Sequence, residues 1–220
     1  MLFRSAEGMA ILDMAVRIHP GVRVFTIDTG RLPQQTYDLM AEVRRRYRIQ
    51  VEVVLPDAHE VEAMVTRHGP NLFYEAVANR MLCCEIRKVR PLERKLETLD
   101  AWATGLRRSQ NPTRAAVRKV ELEQSGRLMV KLSPLADWSA GQVEDYNREH
   151  SVPRHALYSE KYTSIGCQPC TRAPLAGEGG RAGRWWWETD DRKECGIHFA
   201  ADGTVRRDVD ILLEEILSAV

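Results

Sequence analysis

The sequence predicts an α/β fold built on a parallel sheet, and three observations carry that expectation. Apolar residues recur at helical spacing in "MAILDMAVRI" and again in "QQTYDLMAEVRRRY". Two short runs rich in β-branched residues, "VRVFTI" and "IQVEVVLP", flank the second of these helices. Between the elements stand Pro20-Gly21 and the polar turn "DTGR", where a chain reverses most readily. At 220 residues and 44% hydrophobic content, the chain is long enough to bury one main core.

Taken in order, the first helix stops at Pro20-Gly21, the first strand runs into "DTGR", and a helix and second strand complete a βαβ rhythm. In parallel sheets ligands bind beyond the carboxyl ends of the strands, which is where "DTGR" falls. A further helix is expected over "DAHEVEAMVTRHG", and another from about Asn71 through "YEAVANRM" into a pair of cysteines. "LDAWATGLRRSQNPTRAAV" then joins an apolar stretch, with Gly105, to a basic stretch from Arg107 to Arg114. "GRLMVKLSPLADWSAGQVEDYNREH" reads as strand, turn and a helix capped by Ser139. Glu144 and Asp145 near that helix start suit its dipole and receive no catalytic role. From Thr163 to Gly183 the chain is rich in Gly, Pro and Arg, and it continues into "RWWWE". "VDILLEEILSAV" reads as an amphipathic helix, and the chain contains no internal repeat.

The 32 basic and 31 acidic residues leave a net charge of +1, which argues against general attraction to nucleic acid or membrane. No segment approaches the run of about eighteen apolar residues that a membrane span needs. "MLFRSAEGMAIL" lacks the features of a signal peptide, so the protein is expected in the cytoplasm. Five cysteines in such a chain point to metal or thiol chemistry rather than to a disulfide framework.

Cys83 and Cys84 are adjacent, with Cα atoms about 3.8 Å apart across a trans peptide, so a disulfide between them would be strained. Cys167 and Cys170 in "GCQPC" have the spacing that lets two thiolates converge on one centre, with Pro169 stiffening the turn. Four thiolates suit zinc or an iron–sulfur cluster. Zinc ribbons generally use two CxxC knuckles, whereas a cubane accepts ligands from a vicinal pair at separate corners, and this favours a [4Fe-4S] cluster. Cys195 in "KECGIH" has Arg192 and Lys193 before it and His198 after it, the ingredients of a low-pKa nucleophile. His19, His59, His68, His150 and His155 show no metal-like spacing.

"CCEIRK", "GCQPC" with "GRAGRWWWE", and "ECGIH", in this order, resemble the assimilatory adenylyl-sulfate reductase family, which reduces adenosine 5′-phosphosulfate to sulfite and AMP. "FTIDTGRLPQQTY" and "WATGLRRSQNPTR" extend the resemblance over residues 22–198 or so. It implies an adenine-nucleotide α-hydrolase-like, Rossmann-like domain over residues 1–185 that carries the cluster on Cys83, Cys84, Cys167 and Cys170. A C-terminal segment, 186–220, would bring the catalytic cysteine. Lys88, Arg114, Arg181 and Arg184 match family positions that hold the phosphosulfate, and the backbone around Ile27 and Gly105 would line the adenosine pocket. In the implied mechanism Cys195 attacks sulfur and expels AMP, His198 assists, and reduced thioredoxin releases sulfite from the S-sulfocysteine. With no redox domain after Val220, thioredoxin rather than glutathione is the expected reductant.

The N-terminus departs from the family pattern. "MLFRSAEGM" keeps Ala6 and Glu7 but has Gly8 where an acidic residue is expected, and Leu2 and Arg4 where small polar residues are expected. A first sheet strand is therefore expected to be missing. Two other functions fit parts of the sequence. One is reduction of 3′-phosphoadenylyl sulfate, against which the four cluster cysteines argue. The other is a non-catalytic cluster- or zinc-bearing module that contacts nucleic acid through "GLRRSQNPTR" and "RWWWE", against which the balanced charge argues.

Overall fold

The computed structural model describes residues 5–125, 127–188, 203–218 and 220. Helix α1 (Ala6–Ile18) begins at Ser5, whose hydroxyl accepts a hydrogen bond from the Gly8 amide. Apolar residues fall on two sides of α1. Met9 and Leu12 pack with Val24, Leu39 and Val43, while Ala10 and Ile11 pack with Leu135 and Val143. Strand β1 (Val24–Ile27) is buried throughout, as a strand covered on both faces must be. Helix α2 (Gln34–Tyr47) carries the chain across to β2 (Val51–Val54), which pairs in parallel with β1 from Val24 opposite Val51 to Ile27 opposite Val54. The βαβ unit expected from the alternation of periods is therefore present.

Helix α3 (Ala58–His68) is capped by Asp57, whose carboxylate accepts from the His59 and Glu60 amides. The single helix expected from Asn71 into the cysteines is divided. A 3₁₀ turn covers Leu72–Tyr74, Ala76 is extended, and α4 (Val77–Cys84) starts afresh. The turn sends the adjacent side chains of Leu72 and Phe73 into one core cluster. A π-helical turn (Glu85–Val89) links α4 directly to α5 (Arg90–Leu96).

A second ladder has the order β3-β5-β4, from β3 (Ala101–Ala103), β4 (Val120–Ser125) and β5 (Arg127–Leu132). β3 runs parallel to β5, but β4 runs antiparallel to it. The parallel rule gives way here because so short a connection can only join antiparallel neighbours. Phe25 and Ile27 of β1 share a core cluster with Trp102 of β3, so the two ladders lie over common apolar ground. Helix α6 (Ala140–Glu149) starts with a capping box in which Ser139 and Gln142 satisfy each other's backbone amides. Helix α7 (Gly203–Leu217) packs Leu212, Leu213 and Ile216 into the cluster of Met64, Phe73, Leu82 and Ile86. Among the described residues no helix is long and apolar enough to cross a membrane.

Glu52 of β2 is held by Arg23, at 2.8 and 3.0 Å, and by Lys95, which together lower its carboxyl from 4.5 to about 2. A depressed folded-state value contributes stability that is present above about pH 4.5 and disappears as pH falls through about 2. Glu52→Gln is expected to lower the melting temperature at pH 7 by about 2–4 °C, the effect of a partly solvated network in a chain of this size. That difference should shrink to nothing as the two proteins are melted at successively lower pH; a constant offset would contradict the assignment.

Candidate functional site

The stretch "RMLCCEIRK" forms the first wall of the site. Residues 80, 83, 84, 87 and 88 stand near one-turn spacings, so a helix presents them on one side. Arg80, Cys83, Cys84, Arg87 and Lys88 accordingly line a single concavity. The π-helical turn that carries Arg87 and Lys88 is a local expansion of a kind that clusters at functional sites.

The second wall comes from the loop after β1 and from the GCQPC turn. Asp28 accepts hydrogen bonds from the Gly30 amide and the Tyr37 hydroxyl, which shapes the loop, and Gly30 takes the left-handed conformation it needs (φ 68°). The Thr29 hydroxyl lies 3.2 Å from the Cys167 sulfur, the Gln168 amide donates to the Arg31 carbonyl, and Arg87 donates to the Thr29 carbonyl. These bonds join three segments remote in sequence. Cys167 and Cys170 thereby reach the same concavity as Cys83 and Cys84.

Burial, then the neighbouring Cys84 and Cys167 thiols, push Cys83 up to about 12 against the pull of Arg87 and Arg31. Burial is also the largest cause that raises Cys170, followed by the other three thiols. Thiols so placed are poor nucleophiles, and their thiolates need a compensating positive centre. Among the described residues no group of three or more His, Cys, Asp or Glu is arranged to hold a single metal ion. The donor set is nonetheless four sulfurs on one concavity, with Arg31, Arg87 and Lys88 on its lining to offset the charge of a thiolate-ligated centre. Such residues can hold a sulfur-ligated metal centre.

Trp185, 2% exposed, lies in the apolar cluster that contains Cys170. Its amide donates to the Cys170 carbonyl, and its backbone is left-handed (φ 45°), a strained choice for so bulky a residue. Arg184 is also buried, with its guanidinium 4.6 Å from the Trp185 ring centroid. It donates from Nη1 to the Ile165 carbonyl at 3.4 Å, while its Nε has no partner and no carboxylate pairs with it among the described residues. A Cβ on Gly166 would stand 2.4 Å from the Arg184 Cζ, so the guanidinium lies flat between that glycine and the indole. A buried, incompletely bonded guanidinium of this kind has the chemistry to seat an anion.

The other residues singled out from the sequence are placed as follows. Lys88 is buried in the cysteine concavity. Arg181 lies at the turn into Arg184, its carbonyl accepting from the Arg184 amide. Arg114 ends a 3₁₀ turn and donates to Gln110 at 2.6 Å. Ile27 ends β1 and Gly105 lies just beyond β3, at the carboxyl ends of the strands where such folds bind ligands. Ile27 turns its side chain into the core, and a Cβ on Gly105 would come 2.9 Å from the Glu7 Cβ. Gly105 thus lets α1 approach closely, where Arg107 meets Glu7 in a buried pair at 2.8 Å. Cys195 and His198 lie outside the described residues. Sequence reasoning marked the DTGR loop that holds Thr29 and Arg31 without giving either a role, and missed Arg80 and Arg87. For Arg80 and Arg87 the helical spacing from the cysteine pair was an available signal.

Comparison with known proteins gives a consistent result. Residues 2–173 match the phosphoadenosine phosphosulfate reductase domain. An adenosine 5′-phosphosulfate reductase of Allochromatium vinosum is 44% identical over 194 residues, 88% of this chain and 75% of the relative. One from Burkholderia cepacia is 43% identical over 89% of this chain and 78% of the relative. Among solved structures, a phosphoadenylyl-sulfate reductase from Candida auris in complex with phosphate superposes with TM-score 0.64 at 32% identity, over 76% of this chain and 78% of that one. A yeast FAD synthetase in complex with FAD, 14% identical, shares the fold (TM-score 0.51; 77% of this chain, 55% of that one).

The turn that seats Arg184 yields a stability test. A Cβ on Gly183 would stand 2.0 Å from the Arg172 carbonyl oxygen, which is fixed by the hydrogen bond from the Arg172 amide to the Gly183 carbonyl. A Cβ on Gly179 would meet nothing within 4 Å. Gly183→Ala is expected to cost about 1–3 kcal/mol in chemical denaturation, and Gly179→Ala to be neutral or slightly stabilising. Equal midpoints for the two variants would refute this account of the turn.

Proposed function

The chain belongs to the phosphoadenosine phosphosulfate reductase family, and from that membership we propose that it reduces adenosine 5′-phosphosulfate to sulfite and AMP, with reduced thioredoxin as the electron donor, in assimilatory sulfate reduction. One observation supports this substrate most: Cys83, Cys84, Cys167 and Cys170 line one concavity whose wall also bears Lys88. The donor set and its cationic lining fit a [4Fe-4S] cluster held by the four cysteines. When bound, such a cluster supplies an electrostatic and structural centre beside the substrate cations rather than a carrier of electrons.

The remaining steps fall to side chains. Residues 1–185 bind the nucleotide, and 186–220 deliver Cys195. Arg184, Arg181, Lys88 and Arg114 neutralise the phosphosulfate, whose adjacent anionic groups need convergent cations. The Cys195 thiolate attacks the sulfate sulfur, the S–O bond to the phosphate breaks, and AMP leaves with the electron pair, giving S-sulfocysteine. His198 orients or stabilises that state. A thioredoxin thiolate then attacks the Cys195 sulfur and expels sulfite. Its second thiol resolves the mixed disulfide and returns Cys195 to the thiol, so both electrons come from the thioredoxin dithiol. This chemistry suits the cytoplasm, where dithiols stay reduced.

A second reading has specific support. The Candida auris relative is a phosphoadenylyl-sulfate reductase, so the 3′-phosphorylated substrate is the competitor to test.

Anaerobically purified protein is expected to absorb in the visible as an iron–sulfur protein does, and Cys84→Ser to lose that absorbance with its iron. Wild type should release sulfite from adenosine 5′-phosphosulfate with reduced thioredoxin, with kcat/KM well above that for the 3′-phosphorylated compound. Cys195→Ser should lower the rate by at least about a thousandfold. A colourless, zinc-loaded protein would overturn the cluster, undiminished release by Cys195→Ser would overturn the nucleophile, and a preference for the 3′-phosphate would select the second reading.

A further inference from the structure

Arg80 stands one turn before the cysteine pair and lines the same concavity, yet it is bound away from it. Its guanidinium meets Glu188 through two parallel bonds, Nε to Oε1 at 2.8 Å and Nη2 to Oε2 at 3.0 Å. Both side chains are almost wholly buried, at 4% and 6% exposure. The same guanidinium lies 4.6 Å from the Trp185 ring centroid, the distance at which Arg184 also lies. Two buried cations therefore press on one indole, and only Arg80 has its charge met by a carboxylate among the described residues. Two such cations repel each other, so Glu188 is what allows them to share the ring.

The arrangement has a direction. Arg184 has little of its own to fix its plane beyond the 3.4 Å bond to the Ile165 carbonyl: one side rests on Gly166 and the other on Trp185, and Trp185 itself holds a strained left-handed backbone. The indole is buried in the cluster of Phe73, Leu82 and Ile216, its amide bonds the Cys170 carbonyl, and one cation set against its ring is Arg80. The Glu188 amide also donates to the Trp185 carbonyl, so the turn closes on itself through the ion pair. We propose that Arg80 is a positioning residue: clamped by Glu188 and stacked on Trp185, it fixes the plane of the Arg184 guanidinium and so sets the affinity of the site for the phosphosulfate group. The proposal rests on the reading of Arg184 as an anion seat in the reaction proposed above. Arg80 acts through the indole and need touch neither substrate nor cofactor. Planarity is essential to the device, because a lysine can neither grip a carboxylate through two parallel bonds nor stack over a ring face-on.

The test uses the full-length protein as purified, with inorganic phosphate as the probe of the seat and adenosine 5′-phosphosulfate as substrate. Wild type, Arg80→Leu, Arg80→Lys and Glu188→Gln are compared in phosphate affinity by tryptophan fluorescence, in KM and kcat, and in iron content and visible absorbance. Arg80→Leu and Glu188→Gln are expected to weaken phosphate binding and raise KM about tenfold while kcat stays within about twofold and iron is retained. Arg80→Lys, which keeps the charge, should recover little of the loss. Unchanged phosphate affinity and KM in folded Arg80→Leu would overturn the proposal, as would full rescue by lysine, which would assign the effect to charge alone. Loss of iron in step with affinity, or a wild type that binds no phosphate, would overturn it too. A wild type that binds phosphate in an Arg80-dependent way but releases no sulfite would instead sustain the positioning role and remove the proposed reaction.

Discussion

The junction between the loop after β1 and the GCQPC turn is the constraint on which the site rests. Thr29 against the Cys167 sulfur, Gln168 on the Arg31 carbonyl and Arg87 on the Thr29 carbonyl bring together segments up to 138 residues apart. Without these bonds the two cysteine pairs would belong to separate parts of the surface. With them, the carboxyl end of a parallel strand, where such folds place ligands, also becomes the rim of a four-sulfur concavity. A binding end and a cysteine centre thus share one set of backbone groups, and a change in either is felt by the other.

Electrostatics explains why cations surround that junction. Buried thiols resist ionisation, and the rise of Cys83 and Cys170 reflects both burial and crowding by one another. A centre bound through four thiolates would carry net negative charge into a place with little water, and Arg31, Arg87 and Lys88 stand on the lining to offset it. Cations buried for that purpose are also the ones the proposed reaction would turn toward an anionic substrate. Lys88 is the clearest instance, fixed four residues after Cys84 by the helical repeat and buried on the wall of the concavity.

Much of this was legible in the chain because periodicity is local. α2 spans Gln34–Tyr47, the very run whose apolar spacing marked it, and the capping box at Ser139 starts α6 as its residues imply. The parallel β1–β2 pair followed from the βαβ rhythm. What escaped was set by tertiary contact. The break at Ala76 answers to the burial of Leu72 and Phe73 in a cluster completed by α7, and β4 takes its antiparallel place from a connection too short for a crossover. At the site, the cysteines and Lys88 stood out through motif and spacing, whereas Arg80 looked like any charge on a helix. Only the fold shows that its partner is Glu188, 108 residues later. The three tryptophans were likewise uniform in sequence and diverge in space: Trp185 is buried, Trp187 packs on Tyr74, and Trp186 stays exposed.

Retention of costly features argues that this wall is specified by more than stability. Trp185 keeps a left-handed backbone, Gly183 admits no Cβ, and Arg184 leaves a buried N–H without a partner. The left-handed Trp185 and the orphan Arg184 N–H each cost on the order of 1–3 kcal/mol in a chain free to relax. The surroundings over-determine them, since Trp185 bonds Cys170, Arg184 lies in an antiparallel bridge with Thr171, and Glu188 is locked to Arg80. α7 packs Ile216 into the cluster that contains Cys170 and Trp185. Both described flanks of the segment that carries Cys195 are therefore anchored to the core that bears the cysteine centre. A rigid wall with an incompletely bonded cation, fastened on both described flanks of the segment that carries Cys195, is the arrangement that the proposed thiolate attack on a held anion calls for.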